Sequence, residues 1–171
     1  MMRFALPAVM FLLFILEGTA FQIFAPDYRG SELQFIPRFM FLLILMTGIF
    51  RGRSHGLFYA VIFGILYDIV YSPVLGVYTF GIGLLTYLFS MSTSYIKRRL
   101  GLVLLLVLMA VIGFEYYVYG MMSLLGITSL AHEAIFTTRL LPSFIMNGLV
   151  AALMVYPVRS WFYSVDGLDD R

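Results

Sequence analysis

The sequence has no cysteine and only two histidines in 171 residues, and 12% of it is charged. Without cysteine there are no disulfides, thiolate metal sites or cysteine nucleophiles, and no clue to redox compartment. So little charge, beside 62% hydrophobic residues and a mean hydropathy of +0.97, excludes a soluble globular domain with a polar surface. The chain reads as an integral membrane protein. Its formal net charge of +2 gives no electrostatic footprint for nucleic acid. Also missing are a P-loop, G-x-S-x-G, H-E-x-x-H and G-x-G-x-x-G; "FGIG" (80–83) lies inside an apolar run and reads as a packing feature.

What is present is long apolar chain. Runs of about 17 to 25 mostly apolar residues mark a membrane span, and they predict six helices at 4–24, 36–50, 56–71, 74–96, 100–124 and 138–161. A lipid-embedded backbone must satisfy its own hydrogen bonds, so the fold class is an all-α membrane protein, a six-transmembrane-helix bundle. The first run has Arg3 ahead of apolar residues, in the manner of a signal peptide. It lacks a small-residue cleavage pattern and is interrupted by Glu17, so it reads as a retained helix.

Six spans put Arg3, Arg51, Arg53, Lys97, Arg98, Arg99, Arg159 and Arg171 on one side and Arg29, Arg38 and Arg139 on the other. That asymmetry predicts both termini in the cytoplasm, with "KRR" (97–99) as the strongest anchor; the same run could hold anionic lipid. The outer connections are "APDYRGSELQF" (25–35), "SP" (72–73) and "GITSLAHEAIFTT" (126–138), none long enough for a domain, and the tail "VDGLDDR" is short and polar. Residues 1–171 therefore read as a single polytopic domain.

Three carboxylates, Glu17, Asp68 and Glu115, fall inside predicted spans. Counted from the cytoplasmic helix ends at about 1.5 Å per residue, they lie roughly 20, 18 and 22 Å deep, in the outer half of a core about 30 Å thick. Arg38 and Arg139 sit at the outer ends of the second and sixth helices. An isolated charge at mid-bilayer costs about 2.5–3.5 kcal/mol, so the five groups are expected to form one compensating polar cluster. Asp68 ends its helix, where unpaired carbonyls make the field negative, and Arg38 or Arg139 is its expected partner. Glu115, followed by "YYVYG", fits an interfacial aromatic belt as well as a cavity.

Periodicity adds helix faces. Gly56, Ala60, Gly64 and Asp68 recur every four residues, a small-residue stripe that lets a neighbouring helix approach. Arg139, Ser143, Asn147 and Ala151 form a polar stripe on the sixth helix, and Thr79, Gly83, Tyr87, Ser90 and Ser94 one on the fourth. "LGLVLLLVLMAVIGF" (100–114) is apolar all round, so its early turns are expected to face lipid. His55 and His132 fall on opposite sides of the membrane, which excludes a shared metal site, and read as solvated loop residues. No serine has a histidine within reach by depth, so neither nucleophilic catalysis nor any catalytic, metal or cofactor site is expected.

The stretch "HGLFYAVIFGILYDIVYSPVLGVYTF" (55–80) resembles the signature region of the rod shape-determining protein MreD family, in which a Gly-rich helix ends in Asp and a Gly opens the next helix. The matching positions are Gly56, Gly64, Asp68 and Gly76; chain length, span number and cytoplasmic termini agree over essentially the whole chain. The resemblance implies a non-catalytic scaffold of bacterial cell elongation in the cell membrane. Such a scaffold acts with a bitopic MreC-like protein and, through it, with actin-like MreB, the glycosyltransferase RodA and a class B penicillin-binding protein. It also implies a fold similar to the S components of energy-coupling-factor transporters. That gives a second reading, a substrate-binding subunit for a vitamin-type solute, with the five charged residues lining its pocket. Against it, "APDYRGSELQF" supplies only Tyr28 and Phe35 for a lid, and "AALMVY" (151–156) is a poor match to the Ala-rich motif that engages a coupling subunit.

Overall fold

A computed structural model describes residues 4–23, 33–91, 93–128 and 132–166. Arg3, Tyr28, Arg29 and Arg171 lie outside the described residues. The helices, in chain order, are α1 (Ala5–Ile23), α2 (Phe39–Arg51), α3 (Arg53–Tyr71), α4 (Val77–Phe89), the short α5 (Ser94–Arg98), α6 (Leu100–Leu124), a single turn α7 (His132–Ile135) and α8 (Leu141–Asp166). A π-helical turn, Phe136–Leu140, joins the last two. All regular structure among the described residues is helical.

The centre of the bundle is α2. Every residue from Met40 to Phe50 is buried, and the helix packs against α1, α3, α4, α6 and α8. A helix that is apolar all round belongs inside a larger assembly, and "FMFLLILMTGIF" has that composition. Its thirteen residues span only about 20 Å at 1.5 Å per residue. The shortfall against a bilayer is tolerable because α2 is enclosed by protein. Around it, Arg53–Tyr71, Leu100–Leu124 and the run His132–Ser164 are long and apolar enough to cross a membrane, while Ala5–Thr19, Phe39–Arg51 and Val77–Phe89 are shorter apolar helices. Phe58, Ile69, Leu105, Leu149 and Leu153 point outward, each more than half exposed, as side chains that meet lipid do.

Several helix boundaries differ from those expected. The second helix starts at Phe39 rather than 36, because a residue before proline is pushed to extended backbone and Ile36 precedes Pro37; residues 33–38 are non-helical. The five residues left between the second and third expected helices, "RGRSH" (51–55), shrink as a connection to Gly52, whose φ of +112° reverses the chain in a conformation that L residues avoid. The fourth helix stops at Phe89 instead of 96. Thr93 then caps a new turn, its hydroxyl accepting from the Ile96 N–H, in keeping with the preference of serine and threonine for caps over helix interiors. On α4 the buried face is Val77, Tyr78, Gly81, Ile82, Leu85 and Thr86, and the expected stripe holds only at Thr79, which packs on Gly64, and Ser90, which packs on Gly48; Tyr87 is exposed and nothing lies within 4 Å of a Cβ built on Gly83. Nor does the start of α6 face lipid all round, since Val103 and Val107 are fully buried.

Candidate functional site

The extended segment 33–38 sits at the end of the bundle opposite the Arg51 and Arg159 end, and helix-borne side chains hold it in place. The Ile36 N–H donates to Ser143 Oγ (2.9 Å) and the Arg38 N–H to Asn147 Oδ1 (2.8 Å). Asn147 Nδ2 donates to the Ile36 carbonyl (2.9 Å) and the Gln34 N–H to the Thr138 carbonyl (2.7 Å). The match is geometric: two extended residues advance about 6.6 Å, close to the roughly 6 Å of four helical residues. The polar stripe of α8 thus reads alternate residues of the strand-like segment. Ser143 and Asn147, both fully buried, are backbone satisfiers as well as packing residues. Non-helical backbone at membrane depth is tolerated only when its polar groups are served in this way.

The charges serve the same break. One Glu17 oxygen accepts from the Met40 N–H, in the first turn of α2, and the other from the Tyr67 hydroxyl. Arg38 Nε donates to Glu115 Oε1 at 2.7 Å, with both side chains 4% exposed. The Arg38 guanidinium also lies 5.5 Å from the Tyr78 ring centroid and 5.0 Å from that of Phe114, a cation–π cage that offsets lost hydration. Arg139 approaches Glu115 Oε2 only to 3.7 Å and is 28% exposed. Glu115 therefore belongs to the interior, and the aromatic-belt alternative falls away. Glu17, Arg38, Glu115 and Arg139 form one cluster with no net formal charge.

Asp68 has a different partner from the one expected. No ion pair among the described residues includes it. Its carboxylate accepts from the Tyr78 N–H (2.8 Å), the Thr79 N–H (2.9 Å) and the Thr79 hydroxyl. The two N–H groups are orphan donors of the first turn of α4, which opens at Gly76 without a side-chain cap of its own. The helix dipole and charge-assisted hydrogen bonds do what an arginine was expected to do. Gly76, with φ +95° and nothing within 4 Å of a built Cβ, is there for backbone conformation.

The glycine stripe is a contact surface. A Cβ on Gly56 would meet Gly48 Cα at 2.7 Å, and one on Gly64 would meet Thr79 Cα at 2.7 Å; Ala60 between them is fully buried. Gly64 therefore lets α4 come close enough for Asp68, one turn on, to cap it.

Beside this layer lies a cavity of about 250 Å³ whose walls include Glu17, Gln34, Arg38, Tyr71, Tyr78 and Arg139. A second, about 270 Å³, shares Gln34, Tyr78 and Arg139 and extends to Thr138 and Val118. His132 is exposed at the start of α7 and stacks on Tyr116 (5.8 Å) and Phe136 (6.1 Å), so it is not simply a solvated loop residue; His55 is exposed on α3. Among the described residues no group of three histidine, cysteine or acidic side chains could hold a metal.

The family model described as "rod shape-determining protein MreD" matches residues 2–165. The chain belongs to the MreD family. It is 32% identical over 165 residues to the rod shape-determining protein MreD of Bacillus subtilis (strain 168), with 96% of each chain covered. No solved structure matches it significantly. Membership makes this a shape-determining membrane protein and not an enzyme. Within that MreD frame, Gly56, Gly64, Asp68 and Gly76 build the α3–α4 hairpin that walls the cavity through Tyr67, Tyr71 and Tyr78. Sequence reasoning passed over these tyrosines and Gly48, and placed Thr79 on a polar stripe of the fourth helix without its bonds to Asp68. Only Gly48 left a usable trace, as a small residue at the depth of Gly56 on the adjoining helix.

Proposed function

We propose that the chain is the non-catalytic scaffold of the cell-elongation complex, six spans in the bacterial cytoplasmic membrane with both termini inside. Its outward cavity receives the membrane-proximal segment of a bitopic MreC-like protein. MreB, RodA and a class B penicillin-binding protein are engaged through that partner, and no nucleic acid is involved. The observation that supports this reading is the cavity itself. Its polar walls are fixed in place by hydrogen bonds to the broken backbone before α2, and its tyrosine rings give rigid, amphipathic contact area of the kind that recognises polypeptide.

The native chain has no cysteine, so single cysteines report without background. Gln34→Cys on the cavity wall is expected to cross-link to a matched cysteine in the partner, while Leu149→Cys on the outward face of α8 is not. Equal cross-linking from both positions would reject the cavity as the docking surface. A vitamin-sized solute retained in stoichiometric amount would favour the transport-subunit reading instead.

A further inference from the structure

Three charged side chains line the cavities, Glu17, Arg38 and Arg139, with Glu115 paired behind Arg38, and all but Arg139 have committed hydrogen bonds. Glu17 accepts through both oxygens, Arg38 donates to Glu115, and Glu115 accepts from Arg38. Arg139 is the exception. Its Nε is buried without a hydrogen-bond partner, and so is the facing Glu115 Oε2; their closest approach is the 3.7 Å contact through Nη2. A guanidinium has five donors in a planar fork, and none of Arg139's is spent on a hydrogen bond among the described residues. Arg139 also lines both cavities, and it stands on the π-helical turn Phe136–Leu140. Such turns are uncommon and recur at functional sites.

Resting on the docking reading above, we propose that Arg139 is the recognition residue of the cavity and clamps a carboxylate side chain presented by the bitopic partner. A carboxylate is monoanionic, planar and matched to the guanidinium fork. A doubly charged phosphate would face repulsion from Glu17 and Glu115. A lipid phosphodiester would bring acyl chains to a place walled by Gln34, Thr138 and the Tyr78 ring. Binding gives Arg139 a short bidentate partner in place of its loose contact.

The test is association of the full chain in nanodiscs with the full-length MreC-like protein of the same bacterium, across a salt series. Arg139→Gln is expected to weaken binding at least about tenfold, the equivalent of about 1.4 kcal/mol, and to flatten the salt dependence. Arg139→Lys keeps the charge but loses the planar fork, so it is expected to fall between wild type and Arg139→Gln while keeping the salt dependence. Arg139→Glu should abolish binding and be rescued by an acid-to-lysine change in the partner. Wild-type affinity in Arg139→Gln would overturn the proposal. So would an Arg139→Lys protein that binds as tightly as wild type, which would leave the fork no role, or affinity that follows phosphatidylglycerol content in the nanodisc instead of the partner's acids. Gln34→Trp, a bulkier side chain on the wall common to both cavities, separates the two levels: if it leaves binding intact the docking reading fails, whereas if it blocks binding and Arg139→Gln does not, only the clamp fails.

Discussion

Removing the Asp68 carboxylate tests the structural core of the site. Asp68→Ala deletes the acceptor for two backbone N–H groups and one hydroxyl at the start of α4, at a side chain only 3% exposed. Hydrogen bonds to a charged group contribute about 1.5–3 kcal/mol each, and loss of an N-cap costs about 0.5–2 kcal/mol. The three bonds share one carboxylate, and removing a buried charge also relieves its desolvation. The net expectation is therefore about 3 kcal/mol, well short of the sum. Asp68→Asn keeps one acceptor oxygen and should lose about half as much. The assay is reversible unfolding in mild detergent, followed by the fluorescence of the single Trp161 on α8. A double-mutant cycle identifies the partner: Asp68→Ala should couple to Thr79→Ala by about 1 kcal/mol and to Arg139→Gln by less than about 0.5 kcal/mol. Coupling to Arg139 instead, or an Asp68→Ala protein as stable as wild type, would refute the capping role.

Gly64→Ala places a methyl 2.7 Å from the backbone of Thr79, and overpacking of this kind costs about 1–3 kcal/mol, read as a lower unfolding midpoint. Gly83→Ala, with nothing within 4 Å of its Cβ, should instead be neutral or stabilising by up to about 1 kcal/mol through helix propensity. Asn147→Ala leaves the Arg38 N–H and the Ile36 carbonyl without their partners. At about 1–3 kcal/mol per stranded buried group, it should cost more than a change of similar size on the lipid face, such as Leu149→Ala, in the same assay. Glu115→Gln strands the buried Arg38 guanidinium, and breaking a buried pair costs about 3–5 kcal/mol, measured as loss of folded protein in detergent.

The apolar runs and the positions of the five charged residues were legible because a charge in a lipid-facing sequence has few places to go. The stripe of Ser143 and Asn147 was legible for the same reason. What it serves was not, because its partners lie more than a hundred residues away and are backbone atoms, which leave no signature in side-chain identity. Pro37 did carry a local signal, the extended residue before it, that the apolar pattern overrode. Asp68 was misassigned to an arginine because counting charges balances formal charge only. The half-charge of a helix N-terminus does not appear in a sequence, although "LGVYT" opens α4 without a capping side chain and so implies a cap from elsewhere. Tyr67 and Tyr78 looked like two more aromatics among twelve tyrosines until the fold placed one on Glu17 and the other beside Arg38.

The most direct test of the scaffold role is mass spectrometry of all that co-purifies with the protein from its native membrane in mild detergent, wild type beside Gln34→Trp. Recovery of a bitopic MreC-like protein with peptidoglycan synthases, lost from Gln34→Trp while its unfolding midpoint is kept, is the expected result. Recovery of an ATPase, a coupling subunit and a stoichiometric small solute would contradict the scaffold and make the same cavity a transport site.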